Sequence, residues 1–566
     1  MRAVTMRKLP ALCIVTALMA ALVAAQQAAA QVHYHPDGAP WNQRAQAGPD
    51  AEVPGWFYNL GITGLRVKLM EEEPTHLLVM YVLPDTPADG KLRIGDVILG
   101  AGGEEFVTPH QNGYGMDKFG PQGPLLDFAI ALEACQGDGR KARAKTLPDA
   151  ESPAATPPED DDSDHSDDWV QPPTLEPNSQ VQRAEAPAWW SVQQAAAASI
   201  PSSAPRNHGA IDAGLAEPVP APLPTEPAPG SLALSVRRDG KIKQITLRLG
   251  RKYGSFAPTF PYDCKKTELI REELFAYLAD QQHDDGSWGG EVENTFAPLA
   301  LLASGNKRYL PNVEKNVRFH ARTTSAQDSG GLINWRYLSA AIVMSEYALA
   351  ISDKQQIKWL RGELQEVYDF LLSSQYMDLS QVSPHVQETH PDALPHTPLD
   401  AHGGWGHNPG FEGYGPIAMI TAQGAIAFAL MQRVGIEIDP ERHQAAYAFL
   451  ERGTGKNGYT WYEDQVAGDE NYADMGRTGA SALAHFLAPF PAQQAYAAPQ
   501  AAIIARHPEP FPDTHGSPLM GMAYTALGAN TGGPGPLRAL LQANEWWFTL
   551  AQCPDGTFYY QPNRDN

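Results

Sequence analysis

The sequence predicts a multidomain protein in which a small β-rich α+β domain precedes an all-α domain of about six helical hairpins. Three observations predict this. The chain has 566 residues, more than one hydrophobic core usually serves. Segments near the N-terminus alternate between polar and apolar residues, as half-buried strands do. One turn phrase recurs through the second half, as "DDGSWGG" from Asp284 and as "PDGTFYY" from Pro554.

The first 30 residues have the order of a secretory signal peptide. A basic start is followed by an apolar run from Ala11 to Ala25 and by the small residues of "AQQAAA". This order predicts cleavage after Ala30, a lead at 31–55 and a secreted or periplasmic mature protein. A retained membrane anchor is the alternative, but the apolar run is short for a span, so we expect no stable membrane insertion after cleavage.

The next segment, residues 56–146, carries strand and helix patterns. "GLRVKLM" and "HLLVMYVLPDTPA" predict strands, "KLRIGDVILGAGGEEF" a turn and strand pair, and "GPLLDFAIALEAC" a helix. A hairpin follows only at 230–250, where Asp239 and Gly240 supply the turn. The intervening 147–229 contains 16 of the 49 prolines, counted from residue 148, and the acidic run "PEDDDSDHSDD", a composition that predicts disorder.

These segments together resemble a PDZ domain, because "VLPDTPADGKLRIGDVILGAGG" is similar to the bacterial form of that family. The resemblance implies one domain that 147–229 interrupts and 230–250 closes, with a connector at 251–264. It also implies a groove for a C-terminal or internal peptide. The loop departs from the Gly-Leu-Gly-Phe pattern of the family, so docking within the chain is the alternative. The groove residues would be Gly61, Ile62, Thr63, Gly64, Leu65 and Phe128.

Residues 265–566 read as helices paired across six turns. Trp288 and Phe558 are 270 positions apart, and five intervals give a mean period of 54 residues. Helices before the turns are charged and one-sided, as in "TELIREELFAYLADQQ", whereas those after them are apolar nearly all round, as in "YLSAAIVMSEYALAI". An apolar helix must be buried, so the pattern predicts five or six inner helices within an outer ring, an α/α toroid.

The turns themselves explain how the chain reverses. We expect Gly286 and Gly556 to adopt left-handed backbone, with the following aromatic residue sealing the gap between helices. Over roughly 300 residues the series resembles the QW-type repeat of the terpenoid cyclases and protein prenyltransferases. Together with the PDZ-like part, the chain resembles a family of secreted bacterial proteins, without an assigned activity, that combine these two modules.

The end of the chain interrupts the repeat. After Tyr560 only "QPNRDN" follows the sixth turn, so the last inner helix is missing. We therefore expect a truncated chain in which Ala297, Leu301 and Met522 lie on an uncovered apolar flank.

Candidate functional residues lie where the turns lead into the inner helices. The starts of these helices would converge on one face, where their dipoles attract anions and where two long loops fall. The catalytic candidates are His402, His407, Tyr414 and Arg477. The candidates for binding a substrate are Asn334, Arg336, Glu412, Asp474 and His515, with Glu470 and Tyr472 nearby.

These residue types suit two kinds of function. His or Tyr could exchange the proton beside a substrate carboxylate while Arg and Asn hold the anion, as in a uronate-polysaccharide lyase. An anionic polymer is therefore one possible ligand. In the structural alternative, the histidines cap loops and the arginines pair with acids. The sequence shows no pair of a nucleophile and a base. We therefore place a binding or scaffolding role ahead of a hydrolase or lyase, and whether the protein is an enzyme stays open.

Several functions are excluded by what the sequence lacks. The formal net charge of −23 argues against nucleic-acid binding. The Asp-x-Asp-Asp motif of squalene-type cyclases, the zinc ligands of prenyltransferases and the thioester motif of complement-like proteins are not found. Cys135, Cys264 and Cys553 remain after cleavage, and no two have metal-ligand spacing, so we expect no metal and no cofactor. A pairing of Cys264 with Cys553 stays open.

Overall fold

A computed structural model describes residues 57–70, 72–110, 122–137, 229–324, 332–389, 391, 394–411, 415–466, 475–508, 511 and 518–558. The predicted signal peptide, the predicted lead and nearly all of the predicted insertion lie outside these residues. The described chain has an antiparallel sheet near its N-terminus and a larger, mostly helical part after it.

The sheet has seven described strands in the order β1-β2-β3-β4-β6-β7, with β5 paired to β4. Its pairs are antiparallel, and β4 pairs with β6 so that Val97 lies opposite Arg237. Strands from both sides of the predicted insertion therefore belong to one sheet. Helix α1 contacts β4 and β6, and buries Leu125 and Phe128. The bounds are β1 Tyr58–Asn59, β2 Leu65–Leu69, β3 Leu77–Val82, β4 Val97–Ala101, β5 Glu104–Glu105, β6 Ser231–Arg238, β7 Lys241–Arg248 and α1 Gln122–Gln136.

The helical part contains fourteen α-helices among the described residues. Apolar and charged helices alternate along the chain, as the sequence predicts. The bounds are α2 Lys265–Asp280, α3 Glu291–Ala303, α4 Leu310–Thr323, α5 Ile333–Ala350, α6 Lys354–Ser374, α7 Pro384–Thr389, α8 Ala418–Arg433, α9 Pro440–Arg452, α10 Met475–Leu487, α11 Pro491–Gln494, α12 Ala497–Arg506, α13 Pro518–Thr531, α14 Pro534–Ala543 and α15 Glu545–Ala551.

Five apolar helices form a closed ring. Helix α3 contacts α5, α5 contacts α8, α8 contacts α10, α10 contacts α13, and α13 returns to α3. Phe296 and Tyr524 make the last of these contacts, with ring centroids 5.3 Å apart and nearly perpendicular planes. The charged helices α2, α4, α6 and α9 pack outside them, as does α12, whose single charged residue is Arg506.

The same side-chain contacts recur between repeats. Gln282 donates its amide to Gly286 O at 3.0 Å and to Asn312 O at 2.8 Å, on the next outer helix. Gln375 makes the equivalent bonds to Gly403 O at 2.7 Å and to Arg442 O at 3.0 Å. The turn tryptophans also match, since Trp288 Nε1 donates to Leu278 O at 2.7 Å and Trp405 Nε1 to Leu371 O at 2.9 Å. These two turns are therefore tied to the helix before them and to the next outer helix.

The turn glycines are confirmed in left-handed backbone, with φ of +97° at Gly286, +89° at Gly403 and +90° at Gly556. Space also requires glycine, because a Cβ on Gly403 would lie 2.2 Å from Ala445 O on α9. A Cβ on Gly556 would lie 2.8 Å from Glu273 Oε2 on α2, the first outer helix. The sixth turn thus packs on the first repeat.

The expected uncovered flank is not found. Ala297, Leu301 and Met522 are only 6%, 1% and 8% exposed. The expectation was wrong because the first and fifth inner helices contact each other directly, so a sixth inner helix is not needed to cover these three side chains.

A buried ion pair joins the sheet to the helical part. Glu133 on α1 pairs with Lys266 at the start of α2, and both side chains are almost fully buried. The Glu133 carboxylate also accepts hydrogen bonds from Thr549 Oγ1 at 2.8 Å and from Phe256 N at 2.9 Å. One hydrophobic cluster continues across this contact, from Leu132 on α1 to Trp546 and Leu550 on α15. The sheet is therefore packed onto the ring rather than tethered beside it.

Three histidines are buried between helices as neutral rings. His320 and His443 bond the main-chain oxygens of Asn294 and Ala425, and His485 that of Ser481. Burial lowers the pKa of each to about 4, because the interior disfavours the charged imidazolium.

The turn geometry predicts that Gly403→Ala is strongly destabilising. The substitution forces a side chain into left-handed backbone and against Ala445 O, and we expect a loss of about 3 kcal/mol in the free energy of unfolding. Gly240→Ala is the matched control, since Gly240, in the turn between β6 and β7, has φ +72° but no atom within 4 Å of the added Cβ. Denaturant titration should give a clearly larger loss for Gly403→Ala, and equal losses would contradict the steric account.

The buried histidines predict a loss of stability in mild acid. Each has a folded-state pKa below its unfolded value of 6.5, so its stabilising contribution is present above pH 6.5 and is lost as the pH falls toward 4. The loss approaches about 3 kcal/mol per histidine. Melting temperatures measured from pH 7 to pH 5 should fall less steeply for His320→Gln than for the wild type. The exposed His385→Gln should leave the slope unchanged, and a parallel slope for His320→Gln would refute the assignment.

Candidate functional site

The inner helices begin on one face of the ring, and contacts between neighbouring helix starts build its edge. Ala418 N, which begins α8, donates to Tyr462 O at 2.8 Å, in the loop before α10. Several predicted residues of this face lie outside the described part of the chain, so the structure says nothing of their positions. They are Glu412, Tyr414, Glu470, Tyr472, Asp474 and His515.

Asn334 ties the start of α5 to the loop before α8. Its side-chain nitrogen donates to Gly406 O at 2.9 Å, and its main-chain nitrogen donates to His407 O at 3.1 Å. Asn408 Oδ1 accepts from Ile333 N at 3.2 Å, which satisfies another main-chain donor of the first turn. Asn334 is fully buried, so its amide serves to hold the loop.

His407 lies beside Trp335 on this edge. Trp335 Nε1 donates to His407 Nδ1 at 2.8 Å, so Nδ1 carries the lone pair in this arrangement. The two rings are 5.9 Å apart and tilted by 31°. Both side chains are half-buried, and a flat aromatic surface remains partly open to solvent.

Two arginines stand at the starts of the inner helices α5 and α10. Arg336 Nε lies 3.8 Å from Glu291 Oε1, linking the starts of α5 and α3. The Arg477 guanidinium lies 5.3 Å from the centroid of the Tyr462 ring, linking α10 to the loop before it. We call the half-buried set Trp335, Arg336, His407, Tyr462 and Arg477 the rim.

Trp335 and Tyr462 were missed by sequence reasoning, which searched the turns for titratable and polar groups. Both stand inside the recurrent phrases "GGLINW" and "NGYTWY". Their position after a turn glycine was the available signal, although it predicts a ring that seals two helices as readily as one that stays partly exposed.

His402 lies apart from His407, in the turn that ends at Trp405. The turn is pinned by Asp464, whose Oδ2 accepts from Ala401 N at 2.9 Å, and by Arg452 Nη2, which donates to His402 O at 2.8 Å. Burial lowers the pKa of His402, and the nearby Arg452 and Arg442 lower it further. The imidazole is therefore neutral at pH 7.

The carboxylates near His402 are already engaged. Asp464 accepts from Arg452 Nη2 at 2.7 Å, and its side chain is almost fully buried. Asp378 caps the short turn at Leu379–Gln381 by accepting from Ser380 N at 2.8 Å. His402 is thus in the neutral form that a general base requires. The neighbouring carboxylates already accept hydrogen bonds from main-chain or arginine groups.

The predicted peptide groove lies against the chain's own helix α15. Gly61, Thr63, Leu65 and Phe128 are buried. A Cβ on Gly61 would lie 2.7 Å from Thr549 O, so helix and loop touch through their backbones. Gly64 faces Thr86 just as closely, and Ile62 borders a cavity of about 10 Å³. An added peptide would have to displace α15.

The centre of the ring is filled. The cavity between the inner helices has about 20 Å³, enough for about one water molecule, and is lined mostly by Leu, Ile and Phe side chains. Glu346 and Tyr524 also face it, and both are buried. Sequence reasoning missed Glu346, whose only signal is one acid within the apolar run "AAIVMSEYALA".

A resident metal ion has no evident ligands, because no group of three or more His, Cys, Asp or Glu side chains suited to one occurs in the part of the chain with coordinates. Cys135, Cys264 and Cys553 are free thiols, so Cys264 and Cys553 are not paired. Burial raises the pKa of Cys135 to about 11, which makes it a poor nucleophile. Within the described ranges, the helices are too short or too polar to span a membrane.

Comparison with known proteins adds a family but no activity. Residues 267–566, which include all rim residues, match DUF6288, described as a domain of unknown function. No curated protein and no solved structure matches the chain.

Proposed function

Because the chain belongs to the DUF6288 family, whose function is unknown, we propose from its geometry that it is a binding and scaffolding protein that holds an anionic polymer at the rim. The signal-peptide pattern of the first 30 residues supports a secreted or periplasmic location for this activity.

The proposal includes an identity for each part. A PDZ domain is supported by an antiparallel sheet whose last hairpin returns beside β4 after a long interruption, with α1 packed on it. An α/α toroid is supported by a closed ring of apolar helices inside charged ones. These two modules account for every described element except the connector at 251–264.

The rim is the observation that carries the proposal. It brings the rings of Trp335 and His407 together and sets the Arg477 guanidinium beside the Tyr462 ring. Arg336 follows Trp335 in the sequence, and the set lies along the starts of three successive inner helices, α5, α8 and α10. Aromatic faces bind the apolar faces of flat or cyclic units, and guanidinium groups bind carboxylate or sulfate. A polysaccharide of acidic sugars presents both features at a regular spacing.

The filled ring centre favours binding over enclosed chemistry. A cavity of about 20 Å³ admits no sugar, so a polymer would lie across the rim rather than enter the ring. The sheet has a complementary role in the proposal. Since α15 covers the predicted groove, the PDZ-like part acts as a fixed support within the chain.

A lyase acting on the same polymer is the second candidate, and His402 favours it. A half-buried neutral imidazole near two arginines suits abstraction of a proton beside a carboxylate. The engagement of Asp378 and Asp464 counts against it, because neither is left to act as the second acid or base.

The rim predicts that Arg477→Ala weakens polyanion binding. We expect the dissociation constant for polygalacturonate, measured by calorimetry, to rise about tenfold because one charge-assisted contact is lost. Neutral dextran should bind neither the wild type nor the Arg477→Ala variant. Arg318→Ala is the matched control, since Arg318 also stacks on an aromatic ring, 5.0 Å from Trp359, but on the outer wall.

The outcomes separate the candidates. Equal weakening by both arginine substitutions would indicate general charge attraction, and no binding by the wild type would refute the proposal. Release of unsaturated uronate from the polymer, abolished by His402→Gln, would establish the lyase instead.

A further inference from the structure

A small cavity of about 10 Å³ lies between the sheet and the helical part, next to the Glu133 and Lys266 ion pair. Its walls come from α1, from the loop at Ile62 and from the segment after α15. It is what remains of the predicted peptide groove once α15 has packed against the loop.

Two buried amide groups face this cavity with opposite hydrogen-bonding character. Gln136 Oε1 is an acceptor and Gln552 Nε2 is a donor, and neither has a hydrogen-bond partner among the residues that the structure describes. Both residues are only 2% exposed. The orientation of Gln136 is set by its nitrogen, which donates to Gly250 O at 2.9 Å, so its oxygen must point the other way.

Comparison with the other repeats explains why the side-chain nitrogen of Gln552 has no acceptor. Gln282 and Gln375 stand at the same place before their turns, and each donates to the turn glycine and to the next outer helix. Gln552 makes neither bond. The sixth turn instead packs on Glu273 of α2, and the sheet occupies the adjoining space.

We propose that the cavity is a binding site for one water molecule, which donates to Gln136 Oε1 and accepts from Gln552 Nε2. The volume corresponds to about one water, and a larger ligand does not fit. A bridging water satisfies both amides at a small entropic cost, whereas leaving them unsatisfied is far less favourable. Glu133 and Lys266 both line the cavity and neutralise each other, so the site carries no net charge that would call for an ion.

The direct test is a crystal structure of the full chain at a resolution that shows ordered water. We expect one density peak within hydrogen-bond distance of both Gln136 Oε1 and Gln552 Nε2. A dry cavity, or a direct bond between the two amides, would overturn the proposal.

Substitutions provide a second readout. Gln552→Met removes the donor and leaves Gln136 Oε1 unsatisfied, so the melting temperature should fall by about 2–4 °C. The double variant Gln136→Met with Gln552→Met should lose less than the sum of the two single variants, because the water is then no longer needed. The exposed Gln355→Met on α6 serves as the control and should change little.

A rise in melting temperature for Gln552→Met would show that the amide is simply unsatisfied, and strict additivity would show that no water couples the two residues. If Gln552→Met does not fold, the density in the wild-type crystal decides the question.

Discussion

The carboxylate of Glu133 is the contact on which the relation between the two parts of the molecule depends. It lies on α1 of the sheet and binds Lys266 on α2, Thr549 on α15 and Phe256 N in the connector. A buried charge is tolerated only when such partners satisfy it, and removing one partner destabilises strongly. This carboxylate, together with the hydrophobic cluster that joins α1 to α15, therefore holds the sheet on the ring in the arrangement in which α15 covers the loop at Gly61.

The ring itself leaves little interior for chemistry. Its five apolar helices are held by repeated glutamine, tryptophan and glycine contacts, and they fill their own centre. The proposed binding site therefore lies on a surface of the ring. The helix starts provide one, since turns that fix Asn334 and Ala418 also hold Trp335 beside His407 and Tyr462 beside Arg477, all half-buried. The same residues that terminate and connect the helices thus form the proposed binding edge.

Sequence patterns predicted the features that depend on local geometry. The left-handed glycines at 286 and 556, the alternation of apolar and charged helices, and the late hairpin at 231–248 all follow from nearby residues. The contact of α3 with α13 could not be predicted in this way, because periodicity identifies an apolar face but not what covers it. The same limit explains why the packing of α15 on the loop at Gly61 and the exposure of Trp335 were missed.

The distance distribution between a spin label in the sheet and one in the ring tests the central claim most directly. Labels at the exposed Lys241 on β7 and Glu366 on α6 report on the two parts without touching their contact. If the sheet is fixed to the ring, the wild type should show one narrow distance. The distribution should broaden when Glu133→Ala removes the buried carboxylate. A broad distribution in the wild type would contradict the account, because the sheet would then move independently of the ring.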